Sequence, residues 1–250
     1  MRRPVVVMSA LAGELGLLRA AMTDGDEAEA GGHRFRVGSI GGCEVVVTSV
    51  GVGKVNAAMV ATLAIDHFDP REIVFTGVAG GIDPGLGIGD VVVAEHVLHH
   101  DTGVFGPDGF RIYQSGHVPF FNPTAAIGYR PSPGLLDRVR SAAADLHLRP
   151  VLGRVPSLVF GTVVTGDQFI QSEEERRRLH ETLGAHVAEM EGAAVAQVAG
   201  HLGVDHVVIR AVSDRAGADS AIDFARFLDE VSVNSSSIIL ELLKSTEQGR

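Results

Sequence analysis

The sequence predicts a single α/β domain over residues 1–250, in which helices cover both faces of a central, twisted, mostly parallel mixed sheet. Short runs of β-branched and other apolar residues recur along the chain, and most are continuous rather than alternating. Continuous runs are typical of strands that are buried on both faces. Segments of helical length lie between the runs, which indicates parallel strands linked by helices. No repeat, low-complexity tract or charged linker divides the chain.

The strand predictions follow the apolar runs in order. The first run, VVVM, comes after two arginines and a proline, as the apolar part of a signal peptide would. Only about nine apolar or small residues separate Pro4 from Glu14, which is short for such a peptide, so a first buried strand is the better interpretation. The predicted strands are Val5–Met8, Cys43–Val50, Glu72–Val78, Asp90–Leu98, Leu158–Gly166 and His206–Ser213.

Helical segments occupy most of the intervals between these strands. Ser172, which is followed by three glutamates, is typical of a helix N-cap with an acidic first turn. The predicted helices are Ala12–Met22, Lys54–Phe68, Pro133–Leu146, Ser172–Leu183, Glu191–Leu202 and Phe224–Leu243.

The segment His99–Ser132 is predicted to be a long functional loop. It is rich in glycine and proline and has no helical period. Loops longer than about 12–15 residues in a compact domain are usually functional or disordered. Its aromatic residues argue against disorder; they are Phe105, Phe110, Tyr113, Phe120, Phe121 and Tyr129. We therefore expect this loop to cover a pocket or to pack on a partner subunit.

The composition argues against several classes of function. The net charge is −10 and no stretch shows the clustered lysine and arginine face that phosphate contacts require, so nucleic acid is not an expected partner. No apolar run approaches the roughly 20 residues of a membrane span, so no membrane association is expected. Cys43 is the only cysteine, which rules out an intrachain disulfide framework and suits a reducing compartment. We expect a cytoplasmic protein.

Two glycine-rich segments follow predicted strands. GVGKVNAA, Gly51–Ala58, opens a helix, and its backbone N–H groups either face an anion or polar ligand or belong to a tight junction. It lacks the third glycine of a dinucleotide-binding fingerprint and the spacing of a P-loop. TGVAGG, Thr76–Gly81, lies at the carboxyl end of a strand, where open α/β sheets bind their ligands.

Metal and thiol chemistry have weaker support. His96, His99 and His100, with Asp101, would need a second cluster of ligands to hold a metal, and the sequence offers none. Cys43 begins an apolar strand and is expected to pack there. We therefore expect no metal and no cofactor.

Acidic residues at strand ends are the strongest candidates for chemistry. Glu14 follows the first strand, Glu189 and Glu191 follow the apolar stretch AHVA, and Asp214 closes the strand that contains RAVS. The carboxyl ends of parallel strands meet at one edge, so these side chains are expected to surround one crevice. Burial and mutual repulsion would raise at least one pKa and place a general acid beside a general base. Ordinary helix capping explains each residue singly, but Asp214 precedes a loop.

The chain resembles the 5′-methylthioadenosine/S-adenosylhomocysteine nucleosidases of the purine nucleoside phosphorylase-like superfamily. The glycine motifs SVGVGKVNAA and FTGVAGGIDPGLGIGDVVVA are shared across that superfamily. AEMEGAA, RAVSD, TGDQFI and the early glutamate of SALAGEL are more specific to the nucleosidases. The resemblance runs through nearly the whole chain. It implies the superfamily's fold and hydrolysis of the N-glycosidic bond, with a nucleoside and water as substrates and with adenine and a 5′-thioribose as products.

The resemblance also implies a role for each matching residue. Asp214 would protonate N7 of adenine, and Glu14 would orient and deprotonate the attacking water. Glu191 would bind the ribose hydroxyls, whereas Glu189 would point elsewhere. Arg210 would hold the water or Glu14. The other implied substrate-binding residues are Met190 at the sugar, Phe169 and Ile170 at adenine, Leu11, Val52, Phe105 and Phe224 at the 5′-thio substituent, and Ser213 and Val78.

Two departures from the typical nucleosidase put the 5′-substituent in question. Val78 stands where a hydroxyl residue is usual, so one polar contact to ribose or water is missing. The loop Thr102–Tyr129 is longer than usual and lies where the family places residues of the 5′ pocket and the subunit contact. A larger substituent, such as homocysteine or that of a futalosine-like nucleoside, is therefore an alternative.

Other activities of the superfamily fit the sequence less well. Its phosphorylases place an arginine shortly before the TG-x-x-G turn and a serine within it, and this chain has Phe75 and Val78. A member that only binds nucleosides would lack Glu14 or Asp214, and both are present. The resemblance further implies a homodimer, with aromatic residues of the loop 99–132 at the interface.

Overall fold

A nine-stranded sheet lies at the centre of the computed structural model, which describes residues 3–217 and 220–248. In chain order the strands are β1 Val5–Ser9, β2 Thr23–Ala30, β3 His33–Ile40, β4 Cys43–Ser49, β5 Glu72–Gly81, β6 Val91–His99, β7 Gly103–Gly106, β8 Gly109–Ile112, β9 Leu158–Thr165, β10 Ala185–Glu189 and β11 Asp205–Asp214. Strands β7 and β8 form a separate hairpin, and the other nine make the sheet. The predicted α/β class is confirmed.

The described residues form six α-helices, each overlapping a predicted one. They are α1 Gly16–Ala21, α2 Lys54–Phe68, α3 Pro133–Ala143, α4 Glu173–Leu183, α5 Gly192–His201 and α6 Ser220–Gln248, with a 3-10 turn, Ala12–Leu15, before α1. Helix α6 is longer than predicted because neither glycine nor proline interrupts residues 220–248. Within residues 3–217 and 220–248, no helix has the length and apolar character to cross a membrane.

The sheet is mixed, and part of it closes on itself. Its strand order is β10-β9-β6-β11-β5-β1-β4-β3-β2. Five neighbouring pairs are parallel, including β11 with β5 and β5 with β1. Strand β10 also pairs antiparallel with β5, through Val187 with Gly81 and Ala188 with Gly80. This second pairing brings the segment after β10 against the carboxyl ends of β5 and β11.

Apolar residues are buried on both faces of the sheet, as the continuous strand patterns predict. In β1, Val6 and Met8 pack in one cluster with buried residues of α2 and α5, whereas Val5 and Val7 pack in a second cluster with α3 and α6. All four side chains are fully buried. Complete burial of such a side chain stabilises the fold by roughly 1.5–3 kcal/mol. The two layers together hold the sheet rigid beneath its carboxyl edge.

Several strands were not predicted, including those at the antiparallel end of the sheet. The strand β2, with the sequence TDGDEAEA, is polar and largely exposed, so it contains no apolar run. Strand β10 is short and was recognised only as an apolar stretch before a helix. The loop 99–132 likewise contains the small hairpin β7–β8, where the sequence predicted no regular structure. Exposed edge strands form through pairing with a neighbour, which local composition does not reveal.

Candidate active site

Four segments meet at the carboxyl edge of the sheet and enclose a cavity of about 390 Å³. They are the 3-10 turn after β1, the end of β5, the segment after β10 and the end of β11. The loops before α2 and α4 and the start of α6 complete the wall. A volume of this size is within the usual range for a small-molecule site.

All but two of the predicted site residues line this cavity. Those that line it are Leu11, Glu14, Val52, Val78, Phe169, Ile170, Met190, Glu191, Ser213, Asp214 and Phe224. The exceptions among the described residues are Arg210 and Phe105. Additional lining residues are Ala10, Ala79, Gly80, Gln168, Ala188, Glu189 and Ala216. The structure therefore joins positions from seven separate parts of the chain.

The carboxylate of Glu14 accepts hydrogen bonds from three donors. Its Oε2 accepts hydrogen bonds from the Ser9 hydroxyl and from the Leu11 N–H at 2.8 Å, and its Oε1 accepts from the Val78 N–H at 2.9 Å. The side chain is 3% exposed. A carboxylate has about four acceptor sites, so three donors leave Oε1 able to accept one more hydrogen bond. That free position suits a water molecule.

Gly77 makes room for Glu14 and for Arg210. Its φ of +147° is in the region that favours glycine. A Cβ at this position would lie 2.7 Å from Glu14 Oε1 and closer still to Arg210 Nη1. The glycine of TGVAGG is thus required by a close approach of two charged side chains to the backbone.

Asp214 is buried at the end of β11 and has a raised pKa. Its Oδ2 accepts a hydrogen bond from the Ser213 hydroxyl at 2.9 Å, and its Oδ1 accepts from the Ala216 N–H at 2.8 Å. Burial raises the pKa of this carboxyl and outweighs the hydrogen bonds to it, which favour the charged form. A carboxyl that keeps its proton closer to neutral pH is suited to act as a general acid.

Arg210 forms a buried ion pair with Glu189, whereas the predicted contact was with the attacking water or with Glu14. Its Nη2 donates to Glu189 Oε2, its Nη1 donates to the Thr76 carbonyl at 2.7 Å, and the guanidinium stands over the ring of Phe75. Within the described part of the chain, Glu14 is not one of its hydrogen-bond partners. Arg210 is only 1% exposed, because its position in the middle of β11 directs it into the protein.

Glu189 and Glu191 have different surroundings although only Met190 separates them. Glu189 also accepts hydrogen bonds from Thr165 Oγ1 and, at 2.7 Å, from the Gly192 N–H. Glu191 Oε1 accepts from the Gly53 N–H at 2.8 Å, and its Oε2 lies 3.6 Å from Arg210 Nη2. Burial, together with the neighbouring Glu189 charge, raises the pKa of Glu191 to about 7. The two acidic groups share one guanidinium, and Glu189 has the closer contact.

The Glu191 pKa predicts a pH-dependent effect on stability. Because its pKa is raised in the folded state, protonated Glu191 contributes stability that is fully present when the pH is below its ordinary pKa of 4.5. This contribution is lost as the pH rises through about 7. We expect Glu191→Gln to unfold with an unchanged free energy near pH 4.5. Above about pH 8 the variant should be more stable than the parent by about 1–3 kcal/mol.

Urea unfolding of the ligand-free protein at the two pH values measures this difference. Glu174→Gln, at an exposed position of α4, is the matched control and should show the same small effect at both. A Glu191→Gln variant that loses stability at high pH would mean that the folded protein favours the charged form.

The rest of the cavity wall is mainly apolar. Phe169 and Phe224 meet edge to face with their ring centroids 6.0 Å apart. Val78, from the end of β5, contributes a methyl surface next to the backbone N–H that binds Glu14. An apolar wall beside convergent carboxylates fits a ligand that has both an aromatic part and a sugar.

Phe105 lies outside the cavity of this chain. It is on β7, where it is 82% exposed and contacts Phe110 with a centroid distance of 5.1 Å. The expectation that it lines the pocket is therefore not met within one chain. The hairpin β7–β8 pairs with itself and not with the sheet, which leaves the ring at the surface.

Several residues with close contacts to the predicted site were missed from the sequence. Ser9 donates to Glu14, Thr165 donates to Glu189, and the Gly53 N–H binds Glu191. Ser9 and Thr165 end apolar strands, where a polar residue was a usable signal. Gly53 is in the segment GVGKVNAA, for which a polar ligand of the backbone was one of two open interpretations; the structure supplies Glu191 as that partner.

Comparison with known proteins gives a consistent group of relatives. The family model described as the phosphorylase superfamily matches residues 4–244. A 5′-methylthioadenosine/S-adenosylhomocysteine nucleosidase of Mycobacterium bovis is 43% identical over 245 residues, which are 96% of each chain.

Solved structures agree with this result. A nucleosidase of the same name from Neisseria meningitidis, in complex with methylthio-immucillin-A, is 32% identical with a TM-score of 0.84, covering 98% of this chain and 100% of that one. A mutant futalosine hydrolase of Helicobacter pylori is 27% identical with a TM-score of 0.85 and the same two coverages.

Proposed function

Because the chain belongs to the phosphorylase superfamily, and within it to the 5′-methylthioadenosine/S-adenosylhomocysteine nucleosidases, we propose that it hydrolyses the N-glycosidic bond of these two nucleosides. The products are adenine and the corresponding 5′-thioribose. One observation carries the proposal: Glu14, Glu191 and Asp214 converge on a single cavity whose described lining contains neither lysine nor arginine.

Asp214 acts on the leaving group. Adenine is a poor leaving group as an anion, and protonation at N7 lets it depart as a neutral base. Burial raises the pKa of Asp214, which favours the protonated carboxyl that a general acid needs. The Ala216 N–H and the Ser213 hydroxyl fix the carboxyl at the cavity wall, which orients it for transfer of its proton to a base bound in the cavity.

Glu14 acts on the water. Its two oxygens accept hydrogen bonds from three donors, which leaves Oε1 free to accept one more from a water molecule. That water attacks C1′ of the ribose as the bond to adenine breaks, and Glu14 takes its proton. Water is thus the second substrate.

Glu191 and Met190 bind the ribose. Glu191 accepts from the hydroxyl groups, and the Gly53 N–H fixes its side chain for that contact. The positive charge that develops on the sugar in an oxocarbenium-like transition state is stabilised by the nearby carboxylates. Arg210 supports this arrangement by neutralising Glu189.

Apolar residues bind the two ends of the nucleoside. Phe169 stacks on adenine, and the backbone of Ile170 binds its edge. Leu11, Val52 and Phe224 bind the 5′-thio substituent, which favours apolar contacts. All five residues line the cavity.

Phosphorolysis has less support than hydrolysis. A phosphate co-substrate requires cations that converge on its oxygens. The cavity wall formed by the described residues contains no lysine or arginine, and the guanidinium of Arg210 is bound to Glu189.

A homodimer is part of the proposal. Val55 and Met59 on α2 are 79% and 52% exposed, and they continue an apolar surface from Val52 at the cavity rim. The exposed Phe105 lies on the hairpin β7–β8, outside the cavity of its own chain. We propose that a second copy covers the α2 surface and that aromatic residues of the loop 99–132 complete the neighbour's 5′ pocket. A sedimentation mass of one chain would contradict this.

Product analysis tests the proposed reaction. The purified protein is incubated with 5′-methylthioadenosine, S-adenosylhomocysteine and futalosine, each with and without phosphate. We expect free adenine and a reducing thioribose from the first two, at a rate that phosphate does not change. A sugar 1-phosphate formed only with phosphate would contradict hydrolysis. Base release from futalosine alone would keep the mechanism but refute the proposed substrates.

A further inference from the structure

Three charged residues form a cluster near the cavity: Lys54 at the start of α2, and Asp101 and Asp167 in two separate loops. Lys54 Nζ donates to both Asp101 carboxylate oxygens, at 2.7 and 2.8 Å, and lies 3.8 Å from Asp167 Oδ2. The Lys54 N–H donates to Asp167 Oδ1 at 2.9 Å, and the Asp167 N–H donates to Asp101 Oδ2 at 3.0 Å. We call this set the Lys54–Asp101–Asp167 clasp. Each of its residues binds the other two.

The clasp adjoins two separate parts of the chain that form the site. Lys54 directly follows Gly53, whose N–H binds Glu191. Asp167 directly precedes Gln168 and Phe169, which line the cavity. The clasp is therefore one residue away from Gly53, which holds the proposed ribose contact Glu191, and two residues away from Phe169, the proposed adenine contact.

The segment that the clasp holds has few other hydrogen bonds, while Ile170 packs on an apolar cluster and Ser172 caps α4. Residues 166–172 have no regular secondary structure, and residues 167–169 are exposed. Gly166 is bound through its N–H to the Glu189 carbonyl, and Phe169 touches Phe224. Between these points the clasp supplies the hydrogen bonds of Asp167. A segment of this kind is expected to open readily if such links are removed.

The ion pair between Lys54 and Asp101 is largely shielded from solvent, so it can contribute to the order of the segment. The side chains of Lys54 and Asp101 are only 20% and 13% exposed. Burial opposes ionisation of Asp101, but the hydrogen bonds from Lys54 and from the Asp167 N–H hold its pKa below the usual value. Asp101 is thus ionised at neutral pH, and hydrogen bonds to an ionised carboxylate are stronger than hydrogen bonds between neutral groups.

We propose that Lys54 and Asp101 are positioning residues for adenine: their ion pair fixes the segment 166–172, so that Phe169 and Ile170 are ordered before the base arrives. This inference rests on the proposed function. An ordered wall lowers the conformational entropy that is lost on binding, so the clasp acts on substrate affinity. Glu14 and Asp214 lie outside the clasp, so the residues proposed to carry out the chemical step are unchanged when the clasp is broken.

The test replaces Lys54 with methionine, which keeps the length of the side chain and removes its charge. For Lys54→Met we expect KM for 5′-methylthioadenosine and Kd for adenine, the latter by calorimetry, to rise about tenfold. We expect kcat to stay within about threefold, because uniform binding is what is lost. Hydrogen exchange of the segment 166–172 should become about tenfold faster.

The chain offers a matched control, since its only other lysine is Lys244. Lys244 pairs with Glu241 on α6 at 2.7 Å, and Lys244→Met should change none of these quantities. Lys54→Arg, which can still bind Asp101, should restore KM to near the parent value. Asp101→Asn should resemble Lys54→Met, and the double variant should be little worse than either, because all three break one link.

Each outcome decides a separate point. An unchanged KM and an unchanged exchange rate in Lys54→Met would overturn the clasp, as would a fall in kcat equal to the rise in KM. A parent protein that cleaves none of the nucleosides and does not bind adenine would refute the proposed function instead. Hydrogen exchange still decides in that case whether the clasp orders the segment 166–172.

Discussion

Asp214→Asn is expected to lower kcat for 5′-methylthioadenosine by about 10²–10⁴, with KM changed by less than about threefold. Asparagine has the same shape, and its oxygen can still accept the hydrogen bond that the Ala216 N–H donates to Oδ1. It cannot deliver a proton to N7. Steady-state kinetics near neutral pH measure the loss. Ser213→Ala, which removes a donor to the carboxyl and a longer contact with the Ala79 carbonyl, should cost about tenfold or less.

A change of leaving group separates a chemical role from a structural one. The p-nitrophenyl glycoside of 5-methylthioribose releases a stable anion and needs no proton. Asp214→Asn should therefore cleave this compound nearly as fast as the parent protein does. Equal losses on both substrates would show that the variant damages the site as a whole.

Glu14→Gln is expected to lower kcat by a similar factor of about 10²–10⁴ on both leaving groups, because each reaction needs the activated water. The carboxylate accepts from Ser9, Leu11 and Val78, and an amide places a donor against at least one of these donors. A moderate fall in stability, about 1–3 kcal/mol, should accompany the loss. Kinetics on both substrates and urea unfolding measure the two effects.

Adenine binding provides the control for this variant. Adenine contacts the opposite part of the proposed site, so Glu14→Gln should bind it with a Kd within about threefold of the parent value. Glu174→Gln, at an exposed position on α4, should match the parent protein in every assay. If Glu14→Gln retained more than about a tenth of the parent kcat, Glu14 would not be the base.

The parts of the fold that were predicted depend on local patterns. The limits of α2, Lys54–Phe68, agree with the prediction because a glycine-rich turn precedes it and Asp69-Pro70 follows it. The buried strands were found because their apolar runs are continuous. Strand β2 was missed because its stability comes from pairing with β3 and not from its own polar sequence.

The site was predicted in its composition more than in its connections. Strand ends indicated where Glu14 and Asp214 converge, and the resemblance to nucleosidases supplied the apolar lining. The antiparallel pairing of β5 with β10, which brings Glu189 towards Arg210, joins residues about a hundred positions apart and leaves no local signal. The exposure of Phe105 also left no local signal, because it depends on the hairpin β7–β8 pairing with itself and not with the sheet.

The proton transfer from Asp214 to N7 is tested most directly with 7-deaza-5′-methylthioadenosine, in which a C–H group replaces N7. We expect the parent protein to bind this analogue and to cleave it about 10²–10⁴ more slowly than 5′-methylthioadenosine. In Asp214→Asn the ratio of the two rates should fall to near one. The substitution slows only 5′-methylthioadenosine, because the 7-deaza analogue has no N7 for Asp214 to protonate. A variant that slows both substrates equally, and so keeps the ratio, would contradict this account of Asp214.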